Sequence, residues 1–477
     1  MFQYAIKRIL WMFPTFFLIS MAVFTLINLA PGNPGQAGGA EQQTGSSTQS
    51  EAVIFFKRQF DLDKPILLNT RFALSSDDVR ALVVTAQRIE GDPTPAEVIA
   101  AKEALEDSGN YLVRHLLPIL ESDPNPEVRR LAADYLTTAA ALAFVSERIG
   151  DETVARTENR SRGAYNQAIK EWRCTPDAGA ACVADVTTKW KAWWELERAR
   201  YEYTTGEKIH AFFLDTRFAN YWWKLLHLDL GVSPNNRIPV LDTLLDKFKY
   251  SLSLSLTSVV LAYLIAVPLG VFSAVKAGSR ADNVMTVGLF VLYSLPTFFT
   301  GTVLLKVFAD GDPFAWFPVG GFQSPDKHLP VTTLGMFGDV VWHIALPIAT
   351  STSVALAALS RYARTGVIDV IRADYIRTAR AKGLEEAVVI IKHAVRNGMI
   401  PILTLLGGIL PVLVSGSVVI EVVFTIPGMG SYLVDSINAR DYNAVMAVLL
   451  ASALLTLVGI LLSDLSYALV DPRINLD

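Results

Sequence analysis

The run Asp374-Tyr375-Ile376-Arg377-Thr378-Ala379-Arg380-Ala381-Lys382-Gly383-Leu384, followed by Lys392-His393-Ala394-Val395-Arg396-Asn397, is a basic amphipathic island between two strongly apolar stretches. Its chemistry is recognition: guanidinium and ammonium groups offer charge-assisted hydrogen bonds to a partner's acids or to lipid phosphates. Residues 372–381 read as a helix, with Arg372, Arg377 and Arg380 polar and Tyr375 and Ile376 apolar. Gly383 is its natural stop, because a glycine just past a helix end tolerates the left-handed conformation. Glu385 and Glu386 then open a second helix with acids near its positive end. Two short helices with a sharp turn between them make a protruding elbow.

Other residues offer different chemistry. Cys174 and Cys182 are the chain's two cysteines; this close together in an oxidising compartment, they are expected to form a disulfide closing a small loop. Glu421 is the sharpest intramembrane ionisable residue and so a default functional group. Its place before Pro427-Gly428 also admits a structural partner, in outer-loop backbone or Arg440. Ser415 and Ser417 are small polar candidates for a pathway face, with helix packing as the alternative. The six histidines show no ligand spacing, which argues against a metal site. No phosphate-binding glycine loop or Ser/His/Asp context is present, so any ATP and Mg used with this protein would be bound by another chain.

The elements that position these residues are membrane spans. The 477 residues are 51% hydrophobic and 18% charged, against roughly 25% charged in soluble domains. About six apolar stretches approach the ~20 residues needed to cross a bilayer: residues 9–30, 252–275, 284–308, 340–359, 399–424 and 444–467. They are read as helices, since a lipid-exposed backbone must satisfy its own hydrogen bonds. Pro14, Pro268, Pro296, Pro347 and Pro411 are expected to kink them. Lys7, Arg8, Lys276, Arg280 and the island place their loops and both termini in the cytoplasm by the positive-inside rule. The first span is too long for a signal-peptide core and is read as retained.

Between the first two spans lies a polar segment of roughly 200 residues, whose middle has the size of a typical domain. Asn125 before Pro126 and Glu127 is a helix start with an N-cap, an N1 proline and an acid favourable to the dipole. Trp172, Trp190, Trp193 and Trp194 are read as the core face of an amphipathic helix in preference to a ligand surface. Trp222 and Trp223 suit a helix at the membrane interface.

The island resembles the cytoplasmic loop of ABC importer permeases, in particular the first permease subunit of dipeptide, oligopeptide and nickel systems. Importer permeases generally carry Glu-Ala-Ala, three residues, Gly, nine residues, then Ile-x-Leu-Pro. Here Arg377-Thr378-Ala379 take the first positions, Gly383 the glycine and His393 to Arg396 the last four, without the Glu and the Pro. That departure is itself typical of the peptide and nickel branch. Leu29-Ala30-Pro31-Gly32-Asn33-Pro34, Asp229-Leu230-Gly231, Glu421 to Gly430 and Ala439-Arg440-Asp441-Tyr442 agree with the same branch. The resemblance covers about residues 1–69 and 219–477, so the chain looks like a permease split by an external domain.

The resemblance implies an all-α membrane protein of the type I importer fold. Its regions would be residues 1–35 (cytoplasmic start and first span), 36–69 (external), 70–218 (an inserted, mainly helical periplasmic domain), 219–250 (external, interfacial) and 251–477 (core, with a coupling loop at 361–398). It implies no catalytic role. The expected function is the pathway of an ATP-driven importer for peptides or small solutes such as nickel chelates, in a bacterial inner membrane. The implied partners are a second permease subunit, two ATPase subunits and a periplasmic or lipid-anchored binding protein, besides membrane lipid and without nucleic acid. Arg377, Thr378, Ala379, Arg380, Lys382, Gly383, Leu384, Glu385 and Glu386 would dock in an ATPase groove. A secondary transporter would need inverted repeats, which are not seen. A membrane-anchored receptor or scaffold would make the external domain the active part, but it leaves the elbow unexplained.

Overall fold

The computed structural model describes residues 2–29, 63–145, 152–311, 314–325, 332–398 and 418–470. These fold as helices, with one isolated antiparallel bridge, Val232 to Pro239, as the β feature among the described residues. The chain divides into two compact units: an apolar unit of Met1–Gly39 and Leu230–Asp477, and a middle unit of Ala40–Asp229.

In the apolar unit the first helix is α1 (Phe2–Leu29). The middle unit comprises α2 (Ser76–Ala86), α3 (Pro95–Ser108), α4 (Val113–Ser122), α5 (Pro126–Ala139), α6 (Glu152–Lys170), α7 (Gly179–Glu197), α8 (Thr205–Leu214) and α9 (Arg217–Leu226). Its helix starts are written locally. Ser75, Thr94 and Thr204 each close a capping box with Asp78, Glu97 and Glu207. Asn125 accepts from the Glu127 amide at 2.9 Å, with Pro126 at the first helical position. The core is apolar and bulky: Leu112, Leu116, Leu120, Leu136, Ile169 and Trp190 are all fully buried. Trp190 meets Trp172 and Trp193 edge to face, with ring centroids 5.0 and 5.1 Å apart, so the tryptophans build the core. Cys174 and Cys182 are disulfide-bonded at its edge. Asp215 accepts from the Tyr111 hydroxyl at 2.6 Å and pairs with Lys64 at 2.8 Å, joining the two ends of the unit's chain. On α9 Trp223 and Leu226 are exposed.

The apolar unit continues with α10 (Val240–Val275), α11 (Arg280–Ser294), α12 (Thr297–Phe308), α13 (Thr333–Ile371), α14 (Asp374–Ala381), α15 (Val418–Val423), α16 (Met429–Asn438) and α17 (Tyr442–Val470). Among the described residues four helical stretches are long and apolar enough to cross a membrane, Gln3–Leu29, Val240–Val275, Thr333–Ser353 and Tyr442–Leu462, or five with the bent pair α11 and α12 taken as one. The stretch at 284–308, expected as one helix, instead breaks by 101° between α11 and α12. Pro296 is the reason: it drives Leu295 to extended backbone (φ −84°, ψ 128°) and supplies no amide to continue the ladder. Helix runs on through Pro14, Pro268 and Pro347. Of the stretch at 399–424, residues 399–417 lie outside the described residues, and so do Ser415, Ser417 and Pro411.

Small and polar side chains bring these helices together. Ala262 and Ala266 of α10 are buried with Leu359 of α13, and Thr352 donates to the Ser258 carbonyl at 3.3 Å. Small residues let helix backbones approach where lipid offers no hydrophobic drive to associate. Large apolar residues such as Phe13, Leu264, Phe290 and Leu454 point outward.

Candidate functional site

The elbow stands where the sequence places it, but with a sharper entry. Instead of starting at Arg372, its first helix, α14, begins at Asp374, and Arg372 caps the end of α13. Ala373, with extended backbone (φ −72°, ψ 149°), separates the two helices. Gly383 then reverses the chain at φ +77°, a conformation that costs side-chain-bearing residues roughly 1–2 kcal/mol. The return segment is Glu386–Val388, a π-helical stretch Val389–Val395 and Arg396–Gly398. Ile376 and Ala379 of α14 are buried against Val389 and Ala394 of that segment, with Val370 and Ile371 of α13 alongside. The elbow is therefore a packed unit.

Its polar face is exposed. Arg377 is three-quarters exposed and lies 3.6 Å from Asp374, while Thr378 donates to the Asp374 carbonyl at 3.0 Å. Arg380 spans the turn to Glu386 through two bonds of 2.7 and 3.1 Å. The Arg380 guanidinium holds the Glu386 carboxyl below the usual range. Lys382 ends α14 and Glu385 precedes the return segment. Leu384 and Ile391 are exposed apolar residues beside these charges, so the elbow presents both cationic groups and apolar contact area.

Glu421 lies elsewhere, at the start of the Glu421-to-Gly430 run. It is fully buried, and its carboxylate accepts from Ser251 Oγ of α10 at 2.7 Å and from the amides of Gly430 and Ser431 at 2.6 and 3.0 Å. It thus caps α16, whose own N-cap residue, Gly428, has no side chain to do so. A Cβ at Gly428 would sit 2.5 Å from the Glu421 carboxylate carbon, which explains the glycine. Two backbone amides and the Ser251 hydroxyl, not Arg440, are the partners of the carboxylate. Lys306 pairs with Asp310 at 2.8 Å.

The family model for the binding-protein-dependent transport system inner membrane component matches residues 266–476, within the apolar unit. Oligopeptide transport system permease protein AppB of Bacillus subtilis (strain 168) is 39% identical over 237 residues, covering 50% of this chain and 72% of that protein. This chain belongs to the binding-protein-dependent transport permease family. Dipeptide transport system permease protein DppB of Escherichia coli (strain K12) is 36% identical, covering 54% of this chain and 80% of its own. Di/tripeptide transport system permease protein DppB of Pseudomonas aeruginosa (strain UCBPP-PA14) is also 36% identical, covering 57% and 84%. The permease is a multi-pass membrane subunit of an importer and is not an enzyme.

Sequence reasoning missed four residues of this permease. Buried Asp282 and half-buried Arg364 form an ion pair across 82 positions, and Gly366 and Gly398 approach backbone to backbone. Neither contact has a local signature. An acid one turn inside an apolar helix start was the one available hint.

Proposed function

We propose that this chain is the first permease subunit of an ATP-driven importer of short peptides in a bacterial cytoplasmic membrane. Three relatives named for oligopeptide, dipeptide or di/tripeptide transport favour peptides over nickel chelates. The chain works with a second permease subunit, two ATPase subunits that hold ATP and Mg, and a periplasmic or lipid-anchored binding protein. Six spans in the type I importer arrangement carry the pathway, both termini are cytoplasmic, and residues 70–218 are a periplasmic insertion that docks the binding protein or gates the outer mouth. Ser415 and Ser417 are kept as pathway candidates, with Glu421 acting from its capping position.

The elbow is the observation that carries this reading. A packed helical turn with exposed Arg377, Arg380, Lys382 and Leu384 suits a groove of an ATPase and moves as one body with the spans behind it. Coupling requires contacts that differ between nucleotide states. Reversing Arg377 and Arg380 to Glu, or replacing Gly383 by Val at its positive φ, is expected to cut ATPase copurification at least tenfold while the chain stays in the membrane. Unchanged ATPase recovery in both variants would remove the elbow from the docking role.

A further inference from the structure

One eight-residue stretch of α13, residues 360–367, meets three other elements. On one side it receives Gly270 of α10, where an added Cβ would come within 2.6 Å of the Ser360 carbonyl and against Ala363. Arg364 reaches Asp282 at the start of α11 with Nε to Oδ1 at 3.0 Å and Nη2 to Oδ2 at 2.8 Å. That carboxylate, 2% exposed, also accepts from the Ser273 hydroxyl and from the Gly278 amide at 2.9 Å. A single acid therefore ties the end of α10, the following turn, the start of α11 and the C-terminal part of α13. Gly366 and Val367 abut Gly398, the last residue of the elbow's return segment: a Cβ on Gly398 would lie 2.9 Å from the Gly366 carbonyl.

The arrangement has a direction. At about 100° per residue, Arg364 and Gly366 project to nearly opposite sides of α13. The elbow thus bears on α13 through the close Gly366–Gly398 backbone approach together with the side chains of Val367, Val370 and Ile371. The bidentate pair leaves from the side opposite Gly366, three residues before Val367, so one turn of α13 carries both contacts. Such a pair in sheltered surroundings adds little net stability but fixes registry well. We propose that Asp282 and Arg364 are positioning residues of a relay that passes elbow movement through α13 into α10 and α11. The proposal rests on the docking role given to the elbow and adds the route by which docking reaches the spans.

The test uses the full importer, this chain with its second permease, ATPases and binding protein, reconstituted in liposomes. Three quantities are read for Asp282→Asn and Arg364→Lys: ATPase recovery, ATP hydrolysis, and uptake of radiolabelled alanine peptides of two to five residues. Recovery at the wild-type level is expected, with hydrolysis within about twofold and uptake reduced about tenfold in Asp282→Asn. ATP consumed per peptide then rises about tenfold. In Arg364→Lys, which keeps the charge but loses the two-pronged geometry, it rises about threefold. The double variant Asp282→Asn/Arg364→Gln should be no worse than Asp282→Asn alone, because both changes break one contact. Hydrolysis and uptake that fall in proportion, or keep the wild-type ratio, overturn the relay. Loss of assembly in both single variants does so as well, by making the pair a folding element. Failure of the docking role reads out separately, as ATPases that remain bound to the Arg377→Glu/Arg380→Glu chain.

Discussion

The two units of this chain are held together in opposite ways. The middle unit buries a bulky apolar set around Trp190, Leu116 and Leu136 and shows charged side chains outside, as a water-soluble domain must. The apolar unit buries Ser251, Ser258, Ser273, Thr350, Thr352, Asp282 and Glu421 and turns Phe and Leu outward. Where the surroundings are as oily as a leucine, apolar burial gives no drive to associate, and contact rests on close packing, as of Phe424 and Ile426 with Leu254, on small residues and on hydrogen bonds. One helix start in the apolar unit departs from the local caps, such as Ser279 and Thr332, that it otherwise shares with the middle unit. The middle unit caps with a neighbour three residues along; α16 in the apolar unit is capped by Glu421, remote from it by 9 residues and joined to Ser251 across 170.

Removing bulk from the middle unit should give the largest effect. Trp190→Ala leaves a hole among Trp172, Trp193 and their neighbours, at a cost of about 3–5 kcal/mol. Limited trypsin digestion of the full chain in membranes should then cut within residues 63–229 while the remainder stays membrane-embedded and keeps its ATPases. If Trp190→Ala also releases the ATPases, the two units are not separately held and the contrast fails.

In the apolar unit the matching change is polar. Glu421→Gln keeps an acceptor oxygen but turns an NH2 group toward donors that previously shared a carboxylate, so at least one of Ser251, Gly430 and Ser431 loses its partner. The expected cost is roughly 1–3 kcal/mol, seen as a lower thermal midpoint of the detergent-solubilised chain with the middle unit's trypsin resistance unchanged. An unshifted midpoint would mean that Glu421 is not part of what holds α15, α16 and α10 together.

The same contrast decides what could be read from the sequence. The cap at Asn125, the turn at Gly383 and the aromatic core around Trp190 are each specified within a few residues or by a periodic pattern, and the chain shows them openly. The break at Pro296 was half legible: the proline marked a disturbance, but a 101° bend depends on what α11 and α12 pack against. Asp282 with Arg364, Glu421 with Ser251, and Gly366 with Gly398 join residues far apart in sequence, and nothing local distinguishes them from solvated charges or helix-packing glycines.

Acid should separate the two kinds of cap with the smallest effect of all. Hydrogen bonds from the Ser75 side chain to Asp78, and from the backbone and side chain of Thr94 to Glu97 and of Thr204 to Glu207, hold these carboxyls below their ordinary values. A carboxyl depressed in the folded state contributes stability above its unfolded pKa of roughly 4, and that contribution is lost as pH falls through the lower folded value. The first turns of α2, α3 and α8 should therefore open progressively below about pH 4. Thr216 and Thr332 cap α9 and α13 with uncharged oxygens and no acid in the first turn, so those turns provide controls in both units. Hydrogen exchange on the full chain between pH 6 and 3.5, corrected for intrinsic rates, should show lost protection at the amides of Asp78, Glu97 and Glu207 and retained protection at those of Ala219 and Gly335. Equal loss at all five amides would trace acid sensitivity to the units as wholes and remove the carboxylate caps as its cause.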